Sequence, residues 1–233
     1  MPQPEQYPLL LSLAVHELRT PASVVGGYLR MLQKDLGDPL SERQRKMIDE
    51  AEKSCARLVA LIAELSDISK LDAGLTPLGK QPIDVFSLVA EVAEHVHEAK
   101  DRDVRLEVRG DGTAPAVGDA VRLRSAFDAI FRAILREKGG PCTVIADRRR
   151  ITEGGRPAAV VVVAEDRHVQ SAYDRAPGAF DEKRGGLGLA LPLARRVIEG
   201  HGGRIWSPAP NGDDDQMARG AAIVWLPVTE STR

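Results

Sequence analysis

No apolar stretch among the 233 residues approaches the ~20 that a membrane span requires. Met1 to Gln6 also lacks the basic start and apolar run of a secretory leader, so the chain is expected to be cytoplasmic. Cysteine is nearly absent. Cys55 and Cys142 are the only two, far apart and without metal-ligand spacing, so both are expected to be reduced thiols and no metal site is expected. Charge of one sign is not in excess either: the formal net charge is -2, which removes any global electrostatic signature for nucleic acid or anionic membrane. Internal repeats and low-complexity tracts are missing too. A composition of 43% apolar and 28% charged residues excludes disorder and fibre, and describes a soluble chain long enough for one large or two modest domains.

From Leu9 to about Lys34 apolar residues recur with helical periodicity, disturbed near Pro21, and His16 falls off the apolar stripe. Asp35-Leu36-Gly37-Asp38-Pro39 reads as a turn. Ser41 with Gln44 forms a capping-box pattern that starts a second helix. Its seam runs through Ile48, Ala51, Cys55, Leu58, Leu61, Ile62, Leu65, Ile68 and Leu71, and ends at Asp72-Ala73-Gly74. Two antiparallel helices cannot bury such seams alone, and a four-helix bundle from two chains is the simplest solution, so a homodimer is expected.

Leu75 to Pro82 reads as a linker, which divides the chain into residues 1–76 and 77–233. The second part is expected to run helix Val85–Glu98, strand Val104–Val108, helix Asp119–Arg136, strands Cys142–Arg148 and Ala158–Glu165, a glycine-rich turn, helix Gly188–Gly200, and strands Gly203–Ser207 and Gly220–Leu226, with Asn211 to Gln216 as a loop. That order predicts an α/β sandwich with one mostly antiparallel sheet, making the whole chain α+β.

The hexapeptide His16-Glu17-Leu18-Arg19-Thr20-Pro21 carries the chemistry. It sets an imidazole beside a carboxylate on a helix that proline disturbs, because Pro21 has no N–H to offer the Glu17 carbonyl. His16 and Thr20, four apart, share a face. An imidazole with an ordinary pKa of about 6.5 is a competent nucleophile at neutral pH, and Glu17 is placed to orient it and keep it basic. The segment Leu13 to Pro21 resembles the dimerisation and histidine-phosphotransfer domain of two-component sensor histidine kinases. That resemblance implies phosphoryl transfer at His16, with Glu17 and Thr20 as its catalytic partners, a homodimeric bundle, and a response-regulator receiver domain as partner. Only about a turn or two of chain precedes the helix, so a sensor or kinase is expected on a separate protein, or the chain is an excised piece of a larger sensor.

Downstream, Gly185-Gly186-Leu187-Gly188-Leu189-Ala190-Leu191 leads into a helix, and His201-Gly202-Gly203 follows it. Glycines let backbone N–H groups and a helix N-terminus approach a polyphosphate. In order after the phosphoacceptor helix, these motifs resemble the glycine box and His-Gly-Gly turn of the ATPase domain that histidine kinases share with gyrase and the Hsp90 chaperones. The resemblance implies ATP and Mg²⁺, with Glu165, Gly186, Leu187 and Gly188 as nucleotide-binding residues, and Arg136 is added to them for the expected position of its guanidinium on the pocket side of its helix. His201 is expected to be a turn residue rather than a ligand.

The chain departs from the family pattern at the residues that perform chemistry. Arg184 stands where the first glycine of the box usually lies. Ala129 and Ala133 stand where the family places asparagines, and a methyl group cannot ligate Mg²⁺. At the adenine-reading strand Glu165 stands for an aspartate and Arg167 for a glycine; a register shifted by one offers Asp166 with His168 instead. Between Arg167 and Gly186 the lid is short, with Tyr173 and Phe180 as its aromatic anchors. Arg122, Arg132 and Arg136 are expected on a pocket-facing side of their helix, where guanidinium groups bind phosphate without a metal. The expected function is therefore phosphoryl exchange between His16 and a receiver aspartate with weak or lost autokinase activity. The alternatives are an active ATP-dependent autokinase and a non-enzymatic signalling scaffold.

Overall fold

The computed structural model describes residues 7–35, 41–211 and 216–229. The expected turn after Asp35 and most of the expected loop between Asn211 and Gln216 lie outside them. The chain divides into two compact units, Met1–Thr76 and Pro77–Arg233.

The first unit is a helical hairpin of α1 (Tyr7–Asp35) and α2 (Glu42–Asp72). Helix α1 continues through Pro21. Helix α2 starts where its cap dictates: the Ser41 hydroxyl accepts from the Gln44 N–H at 3.3 Å, and the Gln44 side chain accepts from the Ser41 N–H at 2.9 Å. The helices meet closely just past the proline. The Cys55 thiol donates to the Ala22 carbonyl at 3.1 Å, and Gly26 sits where a Cβ would lie 3.2 Å from the Cys55 sulfur. Val15 and Ile62 are buried between the helices.

The second unit comprises β1 (Gln81–Asp84), α3 (Val85–His95), β2 (Val104–Arg109), β3 (Pro115–Gly118), α4 (Ala120–Arg136), β4 (Cys142–Glu153), β5 (Arg156–Glu165), α5 (Val169–Asp174), β6 (Pro177–Gly178), α6 (Ala190–Gly200), β7 (Arg204–Pro208), α7 (Gln216–Arg219) and β8 (Ala222–Pro227). A six-stranded sheet has the order β2-β4-β5-β8-β7-β6, and β1 pairs with β3 in a separate two-stranded ribbon. Within the larger sheet β2 lies parallel to β4 and the other neighbours are antiparallel. Strands β4 and β5 run further than the apolar pattern suggests. Gly154 and Gly155, both at positive φ, close a two-residue turn between Glu153 and Arg156, and such turns extend a hairpin with matched twist. Helix α3 ends at His95, short of the expected Glu98.

Helix α4 is the centre of this unit. Its stripe of Leu123, Phe127, Ile130, Phe131 and Ile134 is fully buried, as the 3.6-residue period requires. The far face of the sheet has its own cluster, in which Val160, Val162 and Ala164 of β5 and Ile223 of β8 meet Val169 and Ala172 of α5. Both faces of β5 are therefore covered, which explains its run of valines. Asp119 caps α4, accepting from the Arg122 N–H at 3.0 Å and from the Gly79 N–H at 3.1 Å. His201 is a staple: its Nε2 accepts from the Asp119 N–H at 2.9 Å and its Nδ1 lies 2.6 Å from the Val197 carbonyl, which fixes the neutral tautomer with the proton on Nδ1. Gly118 makes this possible, since a Cβ there would lie 2.7 Å from the imidazole.

Burial works against the Asp119 charge, but the Arg122 and Gly79 N–H groups outweigh it and hold its carboxyl below the ordinary aspartate value. A carboxyl depressed in the folded state contributes stability that is present above the unfolded pKa and lost as pH falls through the folded one. Asp119→Ala is thus expected to lower stability by ~0.5–2 kcal/mol at neutral pH and to flatten the acid limb of the stability profile, read by urea unfolding as a function of pH. Phe127→Ala is expected to cost ~3–5 kcal/mol in the same assay, with no dependence on pH.

Candidate functional site

On α1, the buried Val15 points inward and its neighbour His16 points out. The His16 Nδ1 lies 3.5 Å from the Glu17 Oε1, and the two side chains are 75% and 73% exposed. Thr20, one turn on, is exposed too. Of the two ring nitrogens, Nδ1 is the one beside the Glu17 carboxylate, at the outer limit of hydrogen-bond distance. The three residues taken from the sequence as catalytic therefore stand together on solvent-facing helix, with the His16 ring accessible.

In the second unit, Glu165 ends β5 and borders a cavity of about 590 Å³ shared with Glu137, Lys138, Cys142, Arg167 and Arg219. Its two oxygens are both engaged: Oε1 is 2.7 Å from the Arg167 Nε, and Oε2 is 4.0 Å from the Lys138 Nζ. Asp166, the alternative register, pairs with Arg109 of β2 at 2.9 Å and does not line the cavity. Lys138 donates to the Gly220 carbonyl at 3.2 Å. Burial pulls its pKa below the ordinary lysine value, opposed by the Glu165 charge. Nothing in the sequence pattern marks Lys138, which follows the end of a helix like any terminal cation.

The glycine turn lies against the C-terminal end of α4. Gly185, at φ 67°, rests so closely on Ala133 that a Cβ would come 2.7 Å from the Ala133 Cα. Its N–H donates to the Glu137 carboxylate at 2.9 Å and its carbonyl accepts from the Arg136 Nη1 at 3.3 Å. Gly186 and Gly188 also adopt positive φ and are exposed, while Leu187 borders a groove with Ala129, Asp128 and Arg132. Arg184 runs the other way, into the protein. It is 5% exposed and donates to the Ala221 carbonyl at 2.9 Å, the Ser207 hydroxyl at 2.7 Å and the Asp181 carbonyl at 3.2 Å, with Phe180 beneath its guanidinium. Burial lowers its pKa, and it has neutral oxygens rather than a carboxylate as direct partners.

The arginines of α4 that were expected to face a pocket have carboxylate partners: Arg122 lies 3.7 Å from Asp119, Arg132, which borders the groove by Leu187, is 2.8 Å from Asp128 and 3.1 Å from Glu98, and Arg136 is 2.8 Å from Glu98. The hydrogen bond from Arg136 is the main reason the Glu98 carboxyl is held below the usual glutamate value. Tyr173, expected as an aromatic anchor of the lid, lies in α5. It packs on the far face of the sheet and donates to Asp147 at 2.7 Å, because a half-buried phenol needs an acceptor. As for Mg²⁺, the positions at issue carry only methyl groups, Ala133 fully buried and Ala129 nearly so, and these residues do not fit a metal.

Residues 9–74 match the His Kinase A (phospho-acceptor) domain. Over 202 residues the chain is 26% identical to the signal transduction histidine-protein kinase BarA of Escherichia coli, covering 82% of this chain and 22% of that protein. It is 31% identical over 195 residues to the sensor protein DivL of Caulobacter vibrioides, covering 82% and 25%. With the probable sensor histidine kinase TcrY of Mycobacterium tuberculosis it shares 27% identity over 236 residues, 94% of this chain and 47% of the other. The chain thus spans less than half the length of each. Among solved structures, that of full-length ShkA in complex with AMPPNP superposes with a TM-score of 0.67 at 22% identity, covering 95% of this chain and 45% of ShkA, which is a likeness of fold. With residues 9–74 matching the phospho-acceptor domain and sensor histidine kinases as its relatives over most of its length, the chain belongs to the two-component sensor histidine kinase family.

Proposed function

We propose that this chain is a phosphorelay protein that carries a phosphoryl group on His16 and exchanges it with an aspartate of a response-regulator receiver domain, and that its own ATP-dependent autokinase activity is weak or lost. The observation that carries this reading is the His16–Glu17 pair, exposed and in contact at 3.5 Å, within the segment that matches the phospho-acceptor family. In the transfer, the Nε2 lone pair attacks phosphorus as the bond from phosphorus to the aspartyl oxygen breaks; in the other direction the P–N bond breaks and the carboxylate takes the phosphoryl group. Glu17 holds the Nδ1 proton throughout and stabilises the positive charge that the ring acquires. Such a transfer between two good acceptors needs mainly positioning. The Thr20 hydroxyl, on the same helix face, is placed to orient a water for hydrolysis of the receiver phosphate, which would make the chain a phosphatase as well.

Reduced nucleotide use is supported by the alanines at 129 and 133 and by Arg167 on the Glu165 carboxylate. The second reading, an active autokinase, draws on the fold likeness to ShkA, whose structure holds AMPPNP, and would require ATP to bind with no asparagine at 129 or 133 for Mg²⁺. Dimerisation is supported by the hairpin surface: Val25, Tyr28 and Met31 of α1 and Met47 and Leu58 of α2 are each more than half exposed, an apolar area that a second copy would bury.

A receiver domain charged with radioactive acetyl phosphate is expected to label the wild-type chain in an acid-labile form and to leave His16→Gln unlabelled. Failure of every receiver in a broad panel to label the wild type would remove the phosphotransfer reading, and strong labelling from ATP with Mg²⁺ would establish the autokinase instead. Light scattering is expected to give a dimer for the wild type, and a monomer for a variant with Val25→Arg and Leu58→Arg.

A further inference from the structure

The far face of the sheet is covered by α5 at one end only. Val169 and Ala172 of that helix pack with Val162, Ala164 and Ile223, whereas toward the β4–β5 turn Ile151, Glu153, Arg156 and Pro227 of the same face are exposed. Strand register sets Arg149, Val160, Trp225 and Arg204 in a row across this open end, and alternation puts Trp206 beside them on β7. Among the described residues of this stretch Arg149, Arg156 and Arg204 stand against two carboxylates, the buried Asp147 that pairs with Arg149 and the exposed Glu153. Its outward charge is therefore cationic, although the chain as a whole carries -2.

Arg204 is the centre of this stretch. Its guanidinium lies 4.8 Å from the centre of the Trp225 ring and 5.7 Å from that of Trp206. A guanidinium stacked on aromatic rings is held in one place and keeps its N–H edge for carboxylates. The carboxylate it now meets is Glu153, at 2.5 Å, with side chains 56% and 51% exposed. An exposed pair of this kind contributes little, so a carboxylate arriving from outside can take the place of Glu153. Beneath, the Trp225 Nε1–H is buried and has no acceptor. Tryptophan, tyrosine and arginine are the side chains that carry most of the binding energy at protein interfaces. A nucleobase, by contrast, needs a free ring face to stack on, and Arg204 lies over both indoles.

The geometry points to the open end of this sheet face as a docking surface for an acidic segment of a partner protein, with Arg204, seated on Trp225 and Trp206, as its central carboxylate contact. The test is titration of the full chain against a short fluorescein-labelled polyglutamate peptide, read by anisotropy and by tryptophan emission, which arises from Trp206 and Trp225 alone. The peptide is expected to bind saturably at low salt, to perturb that emission, and to be released as salt rises. Arg204→Ala is expected to weaken binding by about tenfold, while Arg124→Ala, which removes an arginine from α4 on the opposite side of the sheet, stays within about twofold of wild type. Glu153→Gln removes the internal competitor at an exposed position and is expected to tighten binding by about threefold, which gives a second reading should Arg204→Ala disturb β7. Absence of saturable binding, equal weakening by Arg204→Ala and Arg124→Ala, or no tightening by Glu153→Gln would overturn the proposal. So would an oligothymidylate that binds as tightly as polyglutamate, an outcome that assigns the face to nucleic acid. None of these results bears on phosphotransfer at His16, which the labelling experiment decides separately.

Discussion

The second unit depends on the burial of one helix. Helix α4 sends Phe127, Ile130, Phe131 and Ile134 into the core with no exposed surface. Large buried side chains in a close-packed interior leave little freedom of rotation or translation. Within this unit the glycine turn and the groove beside it are referenced to that helix. Its first turn takes the Asp119 cap, which itself receives the His201 staple from the end of α6, and its last turn carries Arg136 and meets Glu137 and the glycine turn. Because this packing holds α4 in place, Ala129 and Ala133 have fixed positions.

The architecture was legible wherever a single period ruled. The 3.6-residue stripes of α1, α2, α4 and α6, the capping box at Ser41 and the valine run of β5 each answer to a local physical cause. Elements whose stability comes from distant partners were not legible. The ribbon of β1 with β3 is held by pairing across the intervening helix and strand, and Gln81–Asp84 has no alternation to announce it. Helix α5 is six residues long and exists because Val169 and Ala172 are buried on the sheet.

At the site, the identities were readable and their pairings were not. His16 and Glu17 are adjacent in the chain, so sequence places them together. Glu165 and Lys138 are separated by two strands, and only the fold reveals that they meet. The arginines of α4 make the same point. Their spacing indicates a common face, but Glu98, which claims both Arg132 and Arg136, arrives from beyond the end of α3 and has no signature on α4 itself.

The contact between Gly185 and Ala133 also constrains the paths by which this chain can change. Ala133 is fully buried beneath the turn, so any larger residue at 133 meets the Gly185 backbone, and any side chain on residue 185 meets Ala133. The turn in its turn stays put while Arg184 is anchored on β7 and the approach to β8. A larger residue at 133 therefore has to coincide with, or follow, a change that lifts the turn. Interlocked positions of this kind act as a ratchet, holding a lineage in its present state even where each single substitution, taken in isolation, would be small.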